Sequence, residues 1–422
     1  MSARAQARSL AAAYRDLFAL SGWVFIVVAF IGRVPLAMAQ MGTLLMVTAA
    51  TDSYTAGGTC AGALAVANAI GSPIAGGLTD RIGQKPVVIV QSIVSGLGLL
   101  ALVFLTNASL SWPILALAAA AAGFFLPQIG TLARIRWREL VSDESGPNRE
   151  RLNTAFSWEG AGDEASFVLG PATVGILTAI INAQFAVTTA AVLVIVFGTW
   201  FGLHPTSRLV AGSRTHALRI GSAITTIAAL MMASQFLVGT MFGSVQTGTT
   251  VLARAAGQDG MAGLLHGVLG IGSVVAGITI AAIPATYTFD RRVRVFSISL
   301  LVLSIPLLFV HSLGWLTLVL AIMGFGIAPL MITNFSVVET VTPPTRLGVV
   351  MTMLASVTGL GYAVGSSTAG RLADWGRTAT INGEVIGGYT PAYAVTVTGA
   401  LLAVIVAHIV AAQLVRRRSE LS

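Results

Sequence analysis

Long apolar runs, each bounded by polar or turn residues, repeat along the whole chain. A helix that crosses a bilayer needs about 20 mainly apolar residues, and the runs are of about this length. We therefore predict twelve spanning helices, at residues 18–44, 57–78, 86–106, 111–133, 153–179, 184–203, 219–247, 260–283, 295–311, 314–338, 347–369 and 391–415. The pattern predicts an all-α membrane protein.

Composition supports this interpretation and excludes most enzyme classes. Hydrophobic residues make up 55% of the 422 residues and charged residues only 9%, with a mean hydropathy of +0.85. Soluble domains carry charge on roughly a quarter of their residues. The sequence contains no Gly-x-x-x-x-Gly-Lys-Ser/Thr phosphate loop, no Gly-x-Ser-x-Gly nucleophile motif and no His/Cys cluster with metal-ligand spacing. We therefore expect no enzyme activity, no cofactor and no metal, and energy from an ion or substrate gradient.

The distribution of Lys and Arg predicts the orientation in the membrane. With both termini in the cytoplasm, most of the 24 basic residues fall in cytoplasmic loops or tails, as the positive-inside rule requires. Only Arg254, Arg371 and Arg377 fall on the other side, and Arg33 lies inside the membrane. This predicts a multi-pass protein of the cell membrane. The net charge of +8 is then explained by scattered arginines that face anionic lipid headgroups, and we expect no nucleic-acid partner.

The two halves of the chain are related by an internal repeat. A shift of 195 residues places Gly170 on Gly365 and Gly175 on Gly370, and duplicated bundles leave this kind of fixed-offset similarity. We predict two pseudo-symmetric six-helix bundles with a small-molecule site between them, in a chain that acts as a monomer. The predicted parts are a cytoplasmic tail at 1–17, an N-terminal bundle at 18–203, a cytoplasmic linker at 204–218, a C-terminal bundle at 219–415 and a cytoplasmic tail at 416–422.

A loop rich in glycine and charge follows the second predicted helix. It reads Gly-Gly-Leu-Thr-Asp-Arg-Ile-Gly-Gln-Lys. Gly76 allows close helix packing, Asp80 lies at a helix end where it can accept from a facing helix N-terminus or an arginine, and Gly83 allows a tight reversal. The gating motif therefore consists of Gly76, Asp80, Arg81, Gly83 and Lys85. We expect Asp80 to contact the second bundle near helix 11 when the protein faces outward.

This loop resembles the signature Gly-x-x-x-Asp-Arg-x-Gly-x-Arg/Lys of the major facilitator superfamily, and the helix count and the repeat extend the resemblance to the whole chain. It implies the major facilitator fold and transport by alternating access. In the fifth predicted helix, Gly170, Pro171 and Gly175 resemble a reduced form of the family's antiporter motif. That motif implies proton-coupled efflux, as in the drug:proton antiporter branch of bacteria. Exporters of this branch usually carry an arginine within helix 4, but residues 124–132 contain none, and Arg33 is the expected replacement.

Charged residues inside a bilayer are costly, so each is a candidate functional residue. Helix 5 carries three acids, Glu159, Asp163 and Glu164. Glu159 and Asp163 share one face of the helix, and Glu164 lies about 100° from Asp163. We predict a buried pair between Arg33 and Asp163, and a transported proton carried by Glu164 or Glu159. The alternative is an ion-pair cluster that only holds helices 1 and 5 together. The repeat-related helix 11 has no acid at these positions, which favours proton coupling.

Polar and aromatic residues of the helices that line the cavity in this family are candidate substrate contacts. They are Gln40, Gln128, Gln235, Phe236, Gln246 and Asn334. Single amides in membrane helices more often form interhelical hydrogen bonds than bind ligands, and this alternative stays open for each of them. For His266 in helix 8 we expect a satisfied packing role, with titration near neutral pH as the other possibility.

Together these features favour a proton-coupled exporter of hydrophobic or amphipathic small molecules. The first alternative is a uniporter or proton symporter for a metabolite such as a sugar, amino acid or organic anion, in which Arg33 would bind the anion. The second alternative is a non-transporting membrane sensor or lipid-handling protein, which the lack of a large soluble domain disfavours.

Overall fold

The fold is described from a computed structural model. It describes residues 15–141, 147–210, 225–280, 287–343, 347–381, 384–385 and 387–421. Parts of five predictions lie outside these ranges: most of the N-terminal tail, the second half of the linker, the start of the seventh span, the end of the eighth and the last residue of the C-terminal tail.

In the described part of the chain twelve long helical elements follow one another, besides a short helical stretch at residues 15–21 and a 3₁₀ helix at Pro205–Arg208. The first six are α1 (Trp23–Thr51), α2 (Tyr54–Ile82), α3 (Gln84–Asn107), α4 (Trp112–Phe124 and Ile129–Leu140), α5 (Pro147–Ile180) and α6 (Ala183–Leu203). The second six are α7 (Thr226–Ala255), α8 (Met261–Ile280), α9 (Phe289–Phe309), α10 (Leu313–Val341), α11 (Leu347–Gly376) and α12 (Tyr389–Leu421). Among the described residues, ten helices are long and apolar enough to cross a bilayer, and α8 contributes a shorter apolar stretch. The predicted all-α membrane architecture is confirmed.

Helix ends differ from the prediction where charged residues continue a helix. The fourth span was expected to end at 133, but α4 runs to Leu140 because Leu132, Ala133 and Trp137 form a buried face at helical spacing. The ninth span begins six residues early, at Phe289, and the C-terminal tail from 416 continues α12 as helix. The sequence also gave no sign of a two-stranded antiparallel hairpin, β1 (Thr380–Ile381) and β2 (Glu384–Val385), before α12.

A break divides α4 at residues 125–128. Pro127 lacks a backbone N–H and cannot continue the helical hydrogen-bond ladder. The Asn68 amide of α2 donates to the freed carbonyl oxygens of Gly123 and Leu126, at 3.1 and 2.9 Å. In turn the Gln128 amide donates to Asn68 Oδ1 at 2.6 Å. The break is thus stabilised by a buried amide pair.

The helices form two bundles, and the apolar core of the first bundle also includes Ala253, Ala262 and Tyr362 of the second. In the first bundle α1 packs on α2, α5 and α6, while α4 packs on α2 and α3; in the second, α7 packs on α10, α11 and α12, while α10 packs on α8 and α9. Glycines allow the closest approaches: a Cβ at Gly239 of α7 would overlap the backbone of Thr358 in α11. Close backbone contact of this kind is typical of membrane helix interfaces.

The bundles meet through two helix pairs, α2 with α11 and α5 with α8. We call the end of the molecule at which α1 begins and α12 ends the terminal end, and the other the distal end. Along one face of α2, Gly58 contacts α11 near the distal end and Ala69 lies opposite Gly359 midway, but nothing lies within 4 Å of a Cβ built at Gly76. The α5–α8 contact likewise ends before Gly160. The bundles therefore touch over their distal half and diverge toward the terminal end.

Candidate functional site

Arg33 lies at the centre of a buried ion-pair network between α1 and α5. Its side chain is only 4% exposed, and Nε donates to the Ala29 carbonyl oxygen at 3.1 Å. Nη1 donates to the Glu159 carbonyl oxygen at 3.1 Å and to Asp163 Oδ1 at 3.0 Å, while Nη2 pairs with Glu159 Oε2. Gly162 makes room for the guanidinium, because a Cβ there would lie 2.8 Å from Nη1. The sequence-predicted Arg33–Asp163 pair is therefore present, with Glu159 as an additional partner.

Glu159 and Asp163 differ in burial and in their second partners. Glu159 is 1% exposed, and its Oε1 accepts from the Trp137 indole N–H at 2.8 Å. Asp163 is one-third exposed and also pairs with Arg134 Nη2 at 2.7 Å. Two guanidinium groups and two carboxylates thus alternate in one network with no net charge.

Two of these contacts correct the sequence interpretation. An arginine on helix 4 was expected to be missing, yet Arg134 lies on the second half of α4 and binds Asp163. Glu159 was a candidate proton carrier together with Glu164, yet both of its carboxylate oxygens are engaged. Because residues 159 and 163 share a helix face, both reach the same guanidinium.

Glu164 stands apart from this network. It lies on the face of α5 that also carries Val168, Pro171 and Gly175, the residues that contact α8. At the level of Glu164 the bundles have diverged, and the side chain is exposed. It forms no ion pair or side-chain hydrogen bond with any residue in the described part of the chain. The stripe of α8 that contacts α5 carries Gly263, Gly267 and Gly270, and helical spacing continues it to the apolar residue Val274.

A second buried arginine, Arg136, joins α4 to α3 and α6. It is fully buried and donates from Nε to Gln84 Oε1 at 2.8 Å and from Nη1 to the Phe201 carbonyl oxygen at 2.8 Å. Its guanidinium also lies 3.6 Å from the centre of the Phe201 ring. No acid pairs with it within the described ranges. His204 follows α6, outside the membrane span; burial and the Arg136 charge lower the pKa of its imidazole.

The gating motif lies at the terminal end between α2 and α3. Gly83 has φ +86° and joins the two helices, which agrees with the tight reversal expected from the sequence. Asp80, Arg81 and Lys85 are exposed. Asp80 forms no bond to another described residue, and Gly76 faces open space instead of the expected helix contact. The predicted contact of Asp80 with the second bundle does not exist while the terminal end is open.

At the distal end, polar contacts join the bundles. The Asp374 carboxylate of α11 accepts from the Ser53 hydroxyl at 2.8 Å and from the backbone N–H groups of Tyr54 and Thr55 at 3.0 and 2.8 Å, which caps the N-terminus of α2. Asp52, the residue before Ser53, pairs with two arginines of the second bundle. These are Arg254, at 3.1 Å, and Arg377, at 3.2 Å. We call Asp52, Asp374, Arg254 and Arg377 the distal latch; sequence analysis did not identify it.

The helix 5 motif lies where α5 packs on both α1 and α8. A Cβ at Gly170 would lie 2.7 Å from the Ala37 Cβ of α1. A Cβ at Gly175 would lie 2.5 Å from the Gly260 carbonyl oxygen and 2.8 Å from the Leu264 nitrogen of α8. The Pro171 carbonyl lies against Gly263. These residues therefore allow close contact between the bundles.

Most of the predicted cavity residues bond within the protein. Gln128 belongs to the amide pair at the α4 break, which corrects its placement as a free substrate contact. Asn334 donates to Gln235 Oε1 and to the Ser234 hydroxyl, both at 3.1 Å, so it joins α7 to α10. Gln246 Oε1 accepts from the Tyr362 hydroxyl. Gln40 and Phe236 are partly buried, and Gln40 forms no side-chain hydrogen bond within the described ranges.

His266 also differs from expectation. It is buried, and its Nδ1 has no hydrogen-bond partner among the described residues. A packing histidine with satisfied hydrogen bonds was predicted, so this expectation is wrong for one ring nitrogen. The nearest ring is Phe242 of α7, at 6.3 Å between centroids.

Comparisons with known proteins identify the fold and the family. The sequence model of the Major Facilitator Superfamily matches residues 19–279, while no curated protein matches the sequence. Among solved structures, a point mutant of the nucleoside transporter NupG is 12% identical, with a TM-score of 0.70, and the match covers 92% of this chain and 98% of that one.

Two further similar structures are inward-facing transporters. A bacterial homologue of the iron transporter ferroportin is 13% identical, with a TM-score of 0.65 and coverage of 92% of this chain and 98% of that one. A bacterial homologue of the human lysosomal transporter Spinster, inward-facing and occupied, is 15% identical, with a TM-score of 0.62 and coverage of 92% and 95%. At these identities the likeness concerns the fold alone.

Proposed function

Because this chain belongs to the major facilitator superfamily, we propose that it is a proton-coupled exporter of hydrophobic or amphipathic small molecules. The match over residues 19–279 supports the general function, transport across a membrane. The proposal of proton-coupled export rests on one further observation. Glu164 is an unpaired carboxylate that faces the gap between the bundles, beside a network in which the other two helix 5 acids are neutralised.

The proposed orientation places the terminal end in the cytoplasm. Arg81, Lys85 and the arginines at 291–294 and 416–418 lie at this end, and positive charge is retained on the cytoplasmic side. In this orientation the open gap faces inward, and the distal latch closes the external side. Substrate and protons would then reach Glu164 from the cytoplasm in this state.

Charge balance supports Glu164 as the proton carrier. Arg33 and Arg134 neutralise Glu159 and Asp163. Protonating Glu159 would remove the buried partner of Arg33, and protonating Asp163 would leave Arg134 without its counter-ion. Protonating Glu164 removes a charge that has no counter-ion in the described structure. Desolvation disfavours the charged form of a carboxylate, so Glu164 is the acid whose protonation state changes most easily as the gap opens and closes.

This arrangement explains why the protein would exchange a proton for a substrate. When the terminal end closes, the apolar stripe of α8 that includes Val274 approaches Glu164. Burying an unpaired carboxylate against apolar side chains is costly. Closure therefore requires that Glu164 is either protonated or covered by a bound substrate that hydrogen-bonds to it. A carrier that closes only with a proton or with substrate exchanges one for the other.

The anion-binding role of Arg33 in the metabolite alternative is not supported. Its guanidinium is 4% exposed and donates to Ala29, Glu159 and Asp163, so an anion would have to displace a carboxylate. A uniporter or proton symporter for a metabolite, without this role of Arg33, stays as the alternative. A uniporter would ignore the pH gradient, and a symporter would accumulate substrate on the side to which protons flow, opposite to an exporter that exchanges substrate for protons.

The test compares coupled and uncoupled transport in proteoliposomes. Substrates are first found by thermal stabilisation of the purified protein against dyes, antibiotics, sugars, amino acids and nucleobases; a ligand at 100 times its dissociation constant stabilises by about 2.7 kcal/mol. For Glu164→Gln we expect loss of accumulation driven by a pH gradient but retention of downhill exchange. The matched control is Glu139→Gln, because Glu139 is exposed near the end of α4. Uphill transport by Glu164→Gln would contradict the proposal.

A further inference from the structure

Six arginines gather where α9 begins and α12 ends, at the terminal end of the second bundle. The two groups are far apart in the sequence, but α9 packs against α12. An ion pair joins them, with Asp290 Oδ1 of α9 3.7 Å from Arg418 Nη2 of α12. We call these six residues the arginine corner: Arg291, Arg292, Arg294, Arg416, Arg417 and Arg418.

The arginine corner has more positive charge than its own acids can neutralise. The same two helix ends contain two acids, Asp290 and Glu420. Asp290 pairs with Arg294 at 3.2 Å as well as with Arg418. Three members of the corner are exposed and form no ion pair with a described residue. They are Arg291, Arg416 and Arg417.

The corresponding corner of the first bundle has no such cluster. There α3 begins beside the end of α6, with Gly202 against Lys85 and Ile89. The first six residues of α3 and the last six of α6 contain a single basic residue, Lys85. Retention of positive charge in the cytoplasm explains an excess of arginine at this end of the molecule, but it does not explain why six arginines lie at one corner.

An exposed apolar stripe continues from the arginine corner along α9. Arg291 shares a helix face with Val295, Ile298 and Val302, because they follow it at helical spacing. These three apolar side chains are exposed. The main neighbours of α9 are α10 and α12, so the stripe lies on the outside of the second bundle, where lipid chains surround it.

A second stripe runs along α12. Arg416 shares a face with Ile409, Ile405 and Leu402, which are exposed as well. With 33 residues α12 is about 50 Å long, against about 30 Å for the hydrocarbon core of a bilayer. The end that carries Arg416 therefore reaches the level of the lipid headgroups while the stripe lies among the acyl chains.

A ligand for this surface needs an anionic group at the membrane surface and apolar chains that enter the bilayer. Guanidinium groups bind phosphate through charge-assisted hydrogen bonds, and basic pockets between membrane helices bind anionic headgroups. We propose that the arginine corner binds an anionic phospholipid, with its headgroup on the arginines and its acyl chains on the stripes of α9 and α12. The site lies outside the gap that contains Glu164, so it does not depend on the proposed transport function.

The experiment measures lipid binding to the purified full-length protein by native mass spectrometry. Dioleoylphosphatidylglycerol and dioleoylphosphatidylcholine are added at equal concentrations; they have the same acyl chains and a phosphate, but choline cancels the negative charge. We expect the phosphatidylglycerol to bind at least about 10-fold more tightly, and the difference to shrink at high ionic strength. Equal binding of the two lipids would overturn the inference.

Variants locate the site. Arg291→Gln combined with Arg416→Gln removes one exposed charge from each helix. Each basic side chain near an anionic surface strengthens binding about 5-fold, so this variant should bind phosphatidylglycerol about 25-fold more weakly. The matched control is Arg138→Gln combined with Arg208→Gln, which removes two exposed arginines near the same end of the first bundle and should leave the affinity unchanged. An equal loss in both variants, or no loss in the first, would overturn the placement.

A third measurement distinguishes a lipid from a free anion. Glycerophosphoglycerol, the same headgroup without acyl chains, is added in about 100-fold excess over the bound lipid, and we expect it not to displace the lipid because it buries no apolar surface on the stripes. Complete displacement would show that an anion alone fills the corner, and it would overturn the assignment to a lipid.

Discussion

Replacing Arg33 by Met should destabilise the protein strongly, because it leaves a buried carboxylate without its counter-ion. Arg33 is 4% exposed and Glu159 is 1% exposed, so water cannot replace the lost guanidinium. Breaking a buried ion pair from one side costs roughly 3 to 5 kcal/mol. Asp163→Asn should cost about 1 kcal/mol or less, because Arg33 keeps Glu159 as a partner and Arg134, like Asp163, is one-third exposed to solvent.

A double-variant cycle makes this prediction quantitative. Glu159→Gln combined with Arg33→Met removes both charges, and the glutamine oxygen still accepts from Trp137. The free energy of unfolding in detergent, measured by urea titration, should therefore recover to within about 1 to 2 kcal/mol of the unmodified protein. Simple addition of the two single losses would refute the reasoning. A loss below about 1 kcal/mol for Arg33→Met would also refute it, because that is the size seen for exposed pairs.

Three further predictions follow from the described contacts. Asp374→Asn removes a charged cap of α2. The equilibrium between states with the distal ends in contact and separated should shift about 10-fold toward separation. Longer spin-label distances between loops 108–111 and 310–312 would show this shift. Gly175→Ala places a methyl 2.5 Å from the carbonyl oxygen of Gly260, just before α8, and should cost about 1 to 3 kcal/mol. Gly76→Ala, which meets nothing within 4 Å, should leave the thermal stability unchanged. The lowered pKa of His204 means that the unfolded state binds the proton more tightly, so stability should fall as the pH drops below about 6.5, and His204→Gln should flatten this dependence.

The architecture could be predicted because membrane helices are encoded locally. Apolar runs of spanning length and the repeat at 195 residues were enough for twelve helices in two sets. The helix 5 acids and Arg33 were also identifiable, since a charge in an apolar run is rare enough to notice. The pairing of Arg33 with Asp163 was predicted because an unpaired charge inside a bilayer is costly, so opposite charges there tend to form ion pairs.

Other parts of the site depend on information that a single sequence does not carry. Arg134 and Arg136 were assigned to a loop because the span was ended at the first arginine; the signal that was missed is the buried face around Trp137. The distal latch joins the loop before α2 to the ends of α7 and α11, and only the docking of the bundles brings Asp374 to the N-terminus of α2. The sequence did not distinguish Glu164 from Glu159. The structure does, because Arg33 and Trp137 bind the two carboxylate oxygens of Glu159.

The central claim is that Glu164 alone carries the transported proton. It is tested most directly by substrate accumulation in proteoliposomes under an imposed pH gradient, with Glu164→Gln, Glu139→Gln and the unmodified protein measured side by side. The account predicts accumulation by the unmodified protein and by Glu139→Gln, and only downhill exchange by Glu164→Gln. Accumulation by Glu164→Gln at the level of the unmodified protein would contradict it.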